Sequence, residues 1–260
     1  MKLIFFDVDG TLIGDKGQML AQSTKEAIGK ARENGHICIV NTGRTWKLVG
    51  DWLPHQTEFD GYLLGCGTMA QYRGEVLWHR TFPQEQGRRI MNAMDRWGID
   101  ALLEGSEKNY TRELEEFHTE LFREHIEVRY GRTCGAWGEA CGHFDKFFLY
   151  VDEGSRLEGF RRELSGELDF IDRDYGFWEV TPAGCSKGLA VEKLAETLGI
   201  PMADTVAIGD SSNDLEMLQR AGTSIAMGNA TQNIRDMADY VTTDVTADGI
   251  WNALDWLGVL

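Results

Sequence analysis

The 260-residue chain is 42% hydrophobic and contains only four prolines, so it is long enough to bury one large core or two modest cores. Its formal net charge of −16 argues against nucleic acid or an anionic membrane as a partner, because phosphate-rich surfaces bind basic proteins. A small anionic substrate remains compatible if a metal, a lysine or helix amino termini supply local positive charge.

The two ends of the chain alternate predicted strands and helices. The first part contains a strand at 2–8, a helix at 22–34, a strand at 36–40, a short helix at 45–53, a strand at 62–64 and a hairpin at 68–78. The last part contains a helix at 187–198, a strand at 205–208, a helix at 213–221, a strand at 224–227, a helix around 234, a strand at 240–242 and a closing helix through 251. This alternation predicts an α/β fold whose parallel, Rossmann-like sheet is covered by helices on both faces.

The middle of the chain has a different pattern. Its predicted helices lie at 86–97, 113–125 and 156–164, and its predicted strands at 101–103, 147–151 and 177–180. Helices together with closely spaced strands favour an α+β insertion built on an antiparallel sheet. We therefore predict a discontinuous core domain over 1–81 and 184–260, interrupted by an inserted domain over 82–183.

Cysteine usage and hydropathy predict a cytoplasmic protein. The five cysteines are odd in number and scattered, which suits a reducing compartment. The amino-terminal apolar run ends at Asp7, too early for a signal sequence, and no later segment approaches the roughly 20 apolar residues that span a bilayer. Cys134, Cys141 and His143 lie near one another, but their spacing fits no standard zinc pattern, and small buried thiols are the favoured interpretation.

Two carboxylates follow the first predicted strand. Asp7 and Asp9 are separated by one residue, so both leave the strand end on the same side, and Gly10 allows a sharp turn beside them. Two like charges this close need a cation, and a hard ion such as Mg2+ prefers carboxylate oxygen. The alternative is an ordinary acidic turn after a strand.

Polar motifs also follow two other predicted strands. Asn41-Thr42-Gly43-Arg44 comes after the second strand, and Gly209–Asp214 comes after the strand that ends at Ile208. In open parallel sheets, ligands bind at the carboxyl ends of the strands. The three strand ends are therefore expected to converge on one ligand site.

Four motifs in order resemble those of the haloacid dehalogenase (HAD) superfamily of phosphotransferases. They are Asp7-Val8-Asp9-Gly10-Thr11, Asn41-Thr42-Gly43-Arg44, Ser186-Lys187-Gly188 and Gly209-Asp210-Ser211-Ser212-Asn213-Asp214. The segments Met217-Leu218, Ala221-Gly222 and Ala226-Met227-Gly228-Asn229-Ala230 make the chain similar to the Cof-like phosphatase branch. This resemblance implies a HAD core and an α+β cap domain, inserted between the second and third motifs, that sets specificity.

The resemblance also implies roles for the acidic residues. Asp7 would be the nucleophile that forms an aspartyl-phosphate, and Asp9 would be the general acid and then the general base. Asp7, Asp210 and the backbone carbonyl of Asp9 would bind Mg2+, and Asp214 would order the outer shell of the metal.

The remaining motif residues would hold the phosphoryl group. The Thr42 hydroxyl, the Gly43 amide and Asn213 would bind its oxygens, and Lys187 would neutralise developing charge and hold Asp7 in place. Each has an alternative. Thr42 and Asn41 could cap the next helix, Lys187 could be a solvated first-turn lysine, and Asp214 could be a negative charge favoured at a helix amino terminus.

The chain departs from the family after its third core strand. Where the family often carries an Asn-Gly pair, this chain has Gly65-Cys66-Gly67, so a polar contact to substrate is absent or replaced there. His143, Arg173 and Trp178 are candidate specificity residues of the cap. Trp178 lies on an apolar strand, which favours a core position for it.

Together these features predict a Mg2+-dependent phosphatase that acts on small phosphorylated metabolites, such as sugar phosphates or phosphorylated cofactors. One alternative is a phosphosugar mutase of the phosphomannomutase type, which shares a similar core and cap. Another is a catalytically silent phosphometabolite sensor. The sequence leaves the substrate, the pathway and the oligomeric state open.

Overall fold

The computed structural model describes residues 1–14, 17, 19–129, 133–151, 156–173 and 176–260. These residues divide into two compact units. The first comprises Met1–Arg44, Leu48–His79 and Ser186–Leu260, and the second comprises Thr45–Lys47 and Arg80–Cys185. Within the described residues, no helix is both long enough and apolar enough to cross a bilayer.

The described residues form fourteen strands and nine α-helices. The strands are β1 (Leu3–Phe6), β2 (Ile37–Asn41), β3 (Gly61–Leu64), β4 (Met69–Tyr72), β5 (Glu75–His79), β6 (Asp100–Glu104), β7 (Asn109–Thr111), β8 (Gly135–Ala136), β9 (Lys146–Tyr150), β10 (Leu168–Asp172), β11 (Phe177–Pro182), β12 (Thr205–Gly209), β13 (Thr223–Ala226) and β14 (Tyr240–Val241). The helices are α1 (Gln22–Glu33), α2 (Trp46–Val49), α3 (Gln84–Trp97), α4 (Glu120–Arg129), α5 (Leu157–Glu163), α6 (Lys187–Leu198), α7 (Leu215–Arg220), α8 (Gln232–Met237) and α9 (Gly249–Trp256).

The first unit is built on an eight-stranded sheet in the order β14-β13-β12-β1-β2-β3-β4-β5, counted over the described residues. β1 lies between β12 and β2 and pairs with both in parallel. β4 and β5 extend the sheet as an antiparallel hairpin, whose turn residues Arg73 and Gly74 have φ angles of 49° and 85°. This parallel sheet confirms the predicted fold class.

Both faces of the central strands are buried, as expected for a parallel sheet covered by helices. Leu3 and Phe5 of β1 share a core cluster with residues of α6, α7 and α8. Ile4 and Phe6 alternate with them and face the opposite side, and both are fully buried. α1 packs against β2 and against α9. The carboxyl ends of β1, β2 and β12 consequently lie side by side at one edge of the sheet.

The second unit contains a six-stranded sheet in the order β10-β11-β9-β6-β7-β8, counted over the same described residues. Its pairs are antiparallel, except that β7 and β8 run parallel. Phe147 and Val180 share a core cluster with residues of α3 and α5, and Trp178 packs against it, as its apolar strand predicted. Leu102 instead belongs to a smaller cluster with residues of α4. This arrangement is the α+β insertion that the sequence predicts.

Two helix predictions are wrong in extent. The predicted helix at 113–125 is a 3₁₀ turn at Leu114–Glu116 followed by α4. The Asp100 carboxylate accepts hydrogen bonds from the amides of His118 (3.1 Å) and Thr119 (2.8 Å), and these bonds hold the segment between the turn and α4 in a non-helical path. The predicted helix at 45–53 ends after α2, and Pro54 lies in a separate 3₁₀ turn.

Candidate active site

Asp7 is the first residue after β1, and the chain then folds back on itself in a tight turn. The amide of Ile13 donates to the carbonyl of Val8 (3.0 Å), and the amide of Gly10 donates to the carbonyl of Ile13 (2.8 Å). Gly10 has a φ angle of 80°, and a Cβ atom at this position would lie 2.3 Å from Oδ2 of Asp210. Glycine is therefore required here both by the turn and by the close approach of the Asp210 carboxylate.

Lys187 joins two buried carboxylates. Its Nζ donates to Oδ1 of Asp7 (2.6 Å) and to Oδ1 of Asp214 (2.7 Å). The side chain of Lys187 is only 1% exposed, and those of the two aspartates are 4% and 0% exposed. Lys187 is the first residue of α6, and the Ser186 hydroxyl caps this helix by accepting from the amide of Leu189 (3.0 Å). The solvated-lysine alternative is therefore wrong.

Asp214 also orders the loop that follows β12. Its Oδ2 accepts hydrogen bonds from the amides of Asp210 (3.0 Å) and Ser211 (3.1 Å), while Oδ1 is bonded to Lys187. A Cβ atom on Gly209 would lie 2.7 Å from Cβ of Asp214, so the strand end must be glycine for this carboxylate to fit. Both oxygens of Asp214 are thus engaged by the protein itself.

Three carboxylates lie close together, and the ammonium group of Lys187 is bonded to two of them. Asp7, Asp210 and Asp214 each offer one oxygen, and these oxygens lie within 4.8 Å of one another. Burial and the charge of Asp214 raise the pKa of Asp7 well above its usual value, and the same two causes raise the pKa of Asp210 to about 7. Burial lowers the pKa of Lys187, but Asp214 and Asp7 more than offset this and raise it overall. The charged forms of these carboxylates are therefore costly without a further cation, and their hard oxygen donors fit Mg2+.

Asp9 lies outside this group of three carboxylates. Its side chain is 54% exposed and is paired with Arg44, whose Nε donates to Oδ2 (2.8 Å) and whose Nη2 donates to Oδ1 (2.5 Å). A guanidinium that contacts both oxygens of a carboxylate fixes its orientation as well as its charge. Sequence reasoning quoted Arg44 in a motif but gave it no role.

The loop after β2 is fixed by the loop after β3. The Thr42 amide donates to the carbonyl of Leu63 (2.9 Å), and the Thr42 carbonyl accepts from the amide of Cys66 (3.1 Å). Cys66 has a left-handed φ angle of 54°, so this segment is tightly folded. The Thr42 hydroxyl accepts from the amide of Arg44 (3.2 Å), which lies before the start of α2, so this bond is not the helix cap of the alternative prediction. The hydroxyl can still donate its own proton to a ligand.

The other motif residues lie in the same loops. Gly43 follows Thr42, and Asn213 lies in a 3₁₀ turn at Ser212–Asp214, where its Oδ1 accepts from the Ser211 hydroxyl (2.6 Å). The structure therefore brings Asp7, Lys187, Asp210 and Asp214 together directly, whereas the side-chain hydrogen bonds described for Thr42 and Asn213 run within their own loops.

Two asparagines support the site in ways that sequence reasoning missed. The buried Asn41 donates through Nδ2 to the backbone carbonyl of Lys187 (3.1 Å), and Asn229 donates through Nδ2 to the carbonyl of Gly10 (2.8 Å). A polar residue at the end of a buried strand was the available signal for Asn41. Asn229 stood in a recognised motif but had no assigned partner.

A model of the haloacid dehalogenase-like hydrolase family matches residues 4–254. The chain belongs to this family. The match confirms the resemblance and extends over nearly the whole of the hydrolase.

Relatives of the hydrolase include named phosphatases. It is 27% identical over 256 residues to the 5-amino-6-(5-phospho-D-ribitylamino)uracil phosphatase YcsE of Bacillus subtilis, covering 98% of this chain and 94% of the relative. It is 28% identical over 240 residues to the HMP-PP phosphatase of Yersinia pseudotuberculosis, covering 90% and 86%. A solved HAD phosphatase from Bacteroides thetaiotaomicron matches with a TM-score of 0.85 at 25% identity, covering 100% of this chain and 96% of the other.

Within the described residues, which include all five cysteines of the hydrolase, no disulfide bond forms. Cys134 and Cys141 are only half-buried, which corrects the expectation of buried thiols, and Sγ of Cys141 lies 3.5 Å from Sδ of Met91. In the part of the chain that the structure describes, the three aspartates form the group that could hold a metal, and Cys134, Cys141 and His143 do not form one.

Proposed function

We propose that the hydrolase is a Mg2+-dependent phosphatase that acts on small phosphorylated metabolites through an aspartyl-phosphate on Asp7. The observation that carries this proposal is the buried Lys187, bonded at 2.6 and 2.7 Å to Asp7 and Asp214. Buried charges are costly, and such an arrangement at a strand end is typical of a catalytic site. The phosphatase names of the relatives support the same reaction class.

Asp7 acts as the nucleophile in this proposal. Its oxygen attacks phosphorus, the bond from phosphorus to the leaving oxygen breaks, and an aspartyl-phosphate forms. The ammonium group of Lys187 holds the Asp7 carboxylate and stays charged, because Asp214 and Asp7 raise its pKa overall. It also neutralises charge that develops on the transferred group.

Asp9 acts as the proton donor and acceptor. In the first step it gives a proton to the leaving oxygen, and in the second it removes a proton from the water that attacks the aspartyl-phosphate. Its half-exposed position leaves room for both a leaving group and a water molecule. The Thr42 hydroxyl, the Gly43 amide and Asn213 bind the phosphoryl oxygens.

Asp7 and Asp210 would hold Mg2+ together with the carbonyl of Asp9, and Asp214 would order the site from behind. When bound, the ion screens the negative charge of the phosphoryl group from the carboxylates. The raised pKa values of Asp7 and Asp210 support this assignment, because clustered like charges favour a cation.

We also propose that residues 82–183 act as a cap domain that sets substrate specificity. Its charged side chains include Arg173, which is 31% exposed and pairs with Glu179 (3.4 Å). Cysteines that form no disulfide among the described residues support the proposal that the enzyme works in the reducing cytoplasm. The names of YcsE and the HMP-PP phosphatase support phosphorylated metabolites of small size as the substrate class.

Phosphate release from a panel of sugar phosphates, nucleotides and phosphorylated cofactors tests the proposal. Each substrate is incubated with Mg2+ or with EDTA, using the wild type and Asp7→Asn. We expect Mg2+-dependent release from the wild type and none from Asp7→Asn, with both proteins folded by circular dichroism. An isomerised phosphosugar without net release would favour the mutase, and metal-dependent binding without turnover would favour the sensor.

A further inference from the structure

Arg44 and Asp9 form an ion pair that connects the loops after β2 and β1. The two residues are 35 positions apart, and both carboxylate oxygens of Asp9 accept from different nitrogens of Arg44. The side chain of Arg44 is 19% exposed, whereas that of Asp9 is 54% exposed. Arg44 is thus the better-anchored partner of the two.

Several contacts other than the ion pair with Asp9 hold Arg44 in place. Its carbonyl accepts from the amide of Gly65 (2.9 Å), and its amide donates to the Thr42 hydroxyl (3.2 Å). The guanidinium lies over the ring of Trp52, with Cζ 5.8 Å from the ring centroid, which is within the range of a cation–π contact. The backbone of Arg44 is therefore held by its own loop and by the Gly65 segment, and its guanidinium lies against an aromatic ring.

A half-exposed aspartate without such a partner could adopt several rotamers, and proton transfer requires one of them. We propose that Arg44 is a positioning residue, which holds the Asp9 carboxylate where it can transfer a proton to and from the reacting group. This inference rests on the proposed function. It deepens that function, because it assigns the orientation of the acid–base group to a residue outside the roles given above.

Because Arg44 contacts both oxygens of Asp9, one contact can persist while the other oxygen gains or loses a proton. When the phosphoryl group moves to Asp7, the protonated oxygen of Asp9 gives its proton to the departing oxygen as that bond to phosphorus breaks. The other Asp9 oxygen can keep its hydrogen bond from Arg44 throughout. A lysine ammonium group lacks the planar pair of nitrogen donors with which a guanidinium contacts both carboxylate oxygens, so lysine should replace Arg44 poorly.

Ring-substituted phenyl phosphates test this role directly. Phenoxide is a strongly basic leaving group that needs a proton, whereas 4-nitrophenoxide is weakly basic and leaves without one. The quantity to compare is kcat/KM, because it reports the steps through departure of the leaving group and excludes the later hydrolysis of the aspartyl-phosphate. The proteins are the wild type, Arg44→Ala, Arg44→Lys and a matched control.

Arg32→Ala is the matched control. Arg32 also uses Nε and Nη2 to contact both oxygens of an aspartate, Asp60, at 3.2 and 3.4 Å. Asp60 also accepts from the amide of Cys38 near the start of β2, at the opposite end of that strand from Thr42. The control therefore loses a similar ion pair at a distance from the reacting groups.

We expect Arg44→Ala to lower kcat/KM for phenyl phosphate by about tenfold or more and to lower it much less for 4-nitrophenyl phosphate, since a misplaced general acid forfeits part of a typical 10²–10⁴-fold contribution. Arg44→Lys should show most of the same loss. Low concentrations of guanidinium should restore part of the phenyl phosphate activity of Arg44→Ala. Arg32→Ala should keep the wild-type ratio between the two substrates.

An equal loss for both substrates in Arg44→Ala would overturn the inference, because it would assign Arg44 to phosphate binding. An unchanged ratio with full activity would overturn it as well. Either result leaves the proposed function standing, provided that the wild type releases phosphate and Asp7→Asn does not. Absence of release from every substrate by the folded, Mg2+-loaded wild type would instead overturn the proposed function and this inference with it.

Discussion

Replacing Lys187 by methionine should strongly destabilise the metal-free protein. The substitution keeps the approximate length of the side chain but removes an ammonium group bonded at 2.6 and 2.7 Å to two carboxylates that are 4% and 0% exposed. Removing one partner of a buried ion pair leaves uncompensated charge and costs about 3–5 kcal/mol. For a protein of this size, this loss lowers Tm by roughly 6–20 °C.

Thermal unfolding followed by circular dichroism in EDTA measures the effect. Lys193→Met is the control in the same helix, because Lys193 is exposed and its Nζ lies only over the Trp78 ring at 4.1 Å, a contact worth about 1 kcal/mol or less. Mg2+ should raise Tm more in Lys187→Met than in the wild type, because the three carboxylates have lost the ammonium group that offsets their charge. A loss below about 1 kcal/mol, equal to that of Lys193→Met, would refute the reasoning.

Three further predictions concern Asp210, Gly209 and Gly29. Burial and the charge of Asp214 raise the pKa of Asp210 from 3.8 to about 7. In the metal-free protein, the stability contributed by protonated Asp210 is therefore fully present below about pH 4 and is lost as the pH rises through about 7. Mg2+ must displace that proton, so Mg2+ affinity measured by calorimetry should rise as the pH increases through about 7. Gly209→Ala places a Cβ atom 2.7 Å from the side chain of Asp214 and should cost about 1–3 kcal/mol and most of the activity. Gly29 lies in α1, where an added Cβ atom would meet no heavy atom within 4 Å outside its neighbours and the local helix backbone. Gly29→Ala should therefore stabilise the protein by about 0.5–1 kcal/mol in urea unfolding.

The predictions for Asp210 and Gly209 have contradicting outcomes. Mg2+ affinity that stays constant between about pH 5 and pH 8 would show that Asp210 carries no proton near neutrality. Gly209→Ala with wild-type stability and activity would show that the strand end can shift without displacing Asp214. In that case the glycine would not be required by the geometry of the site.

The core elements follow from local sequence, because apolar runs such as those of β1 and β12 are buried on both faces and admit few alternatives. The region around α4 does not, because the break before it comes from Asp100, which is distant in sequence from the amides of His118 and Thr119 that it caps. β10 was missed for a related reason. Its sequence Leu-Asp-Phe-Ile-Asp carries two acidic residues and gains its strand conformation by pairing with β11.

The site divides in the same way. The order of the motifs predicted that Asp7, Lys187 and Asp210 belong together, since each follows a strand end or begins a helix. The pairing of Arg44 with Asp9 could not be predicted, because arginine and aspartate are usually exposed and these two lie on separate loops. The left-handed backbone at Cys66, whose amide donates to the Thr42 carbonyl, could not be predicted either, since cysteine carries no preference for that conformation.

Trapping the phosphorylated enzyme tests the central claim most directly. Wild type and Asp7→Asn are mixed with Mg2+ and the best substrate of the panel, quenched in acid during turnover, and digested for mass spectrometry. We predict one added phosphoryl group on the peptide that contains Asp7 in the wild type, and none in Asp7→Asn. Phosphate release by the wild type with no phosphorylated Asp7, or with the phosphoryl group on another residue, would contradict the account.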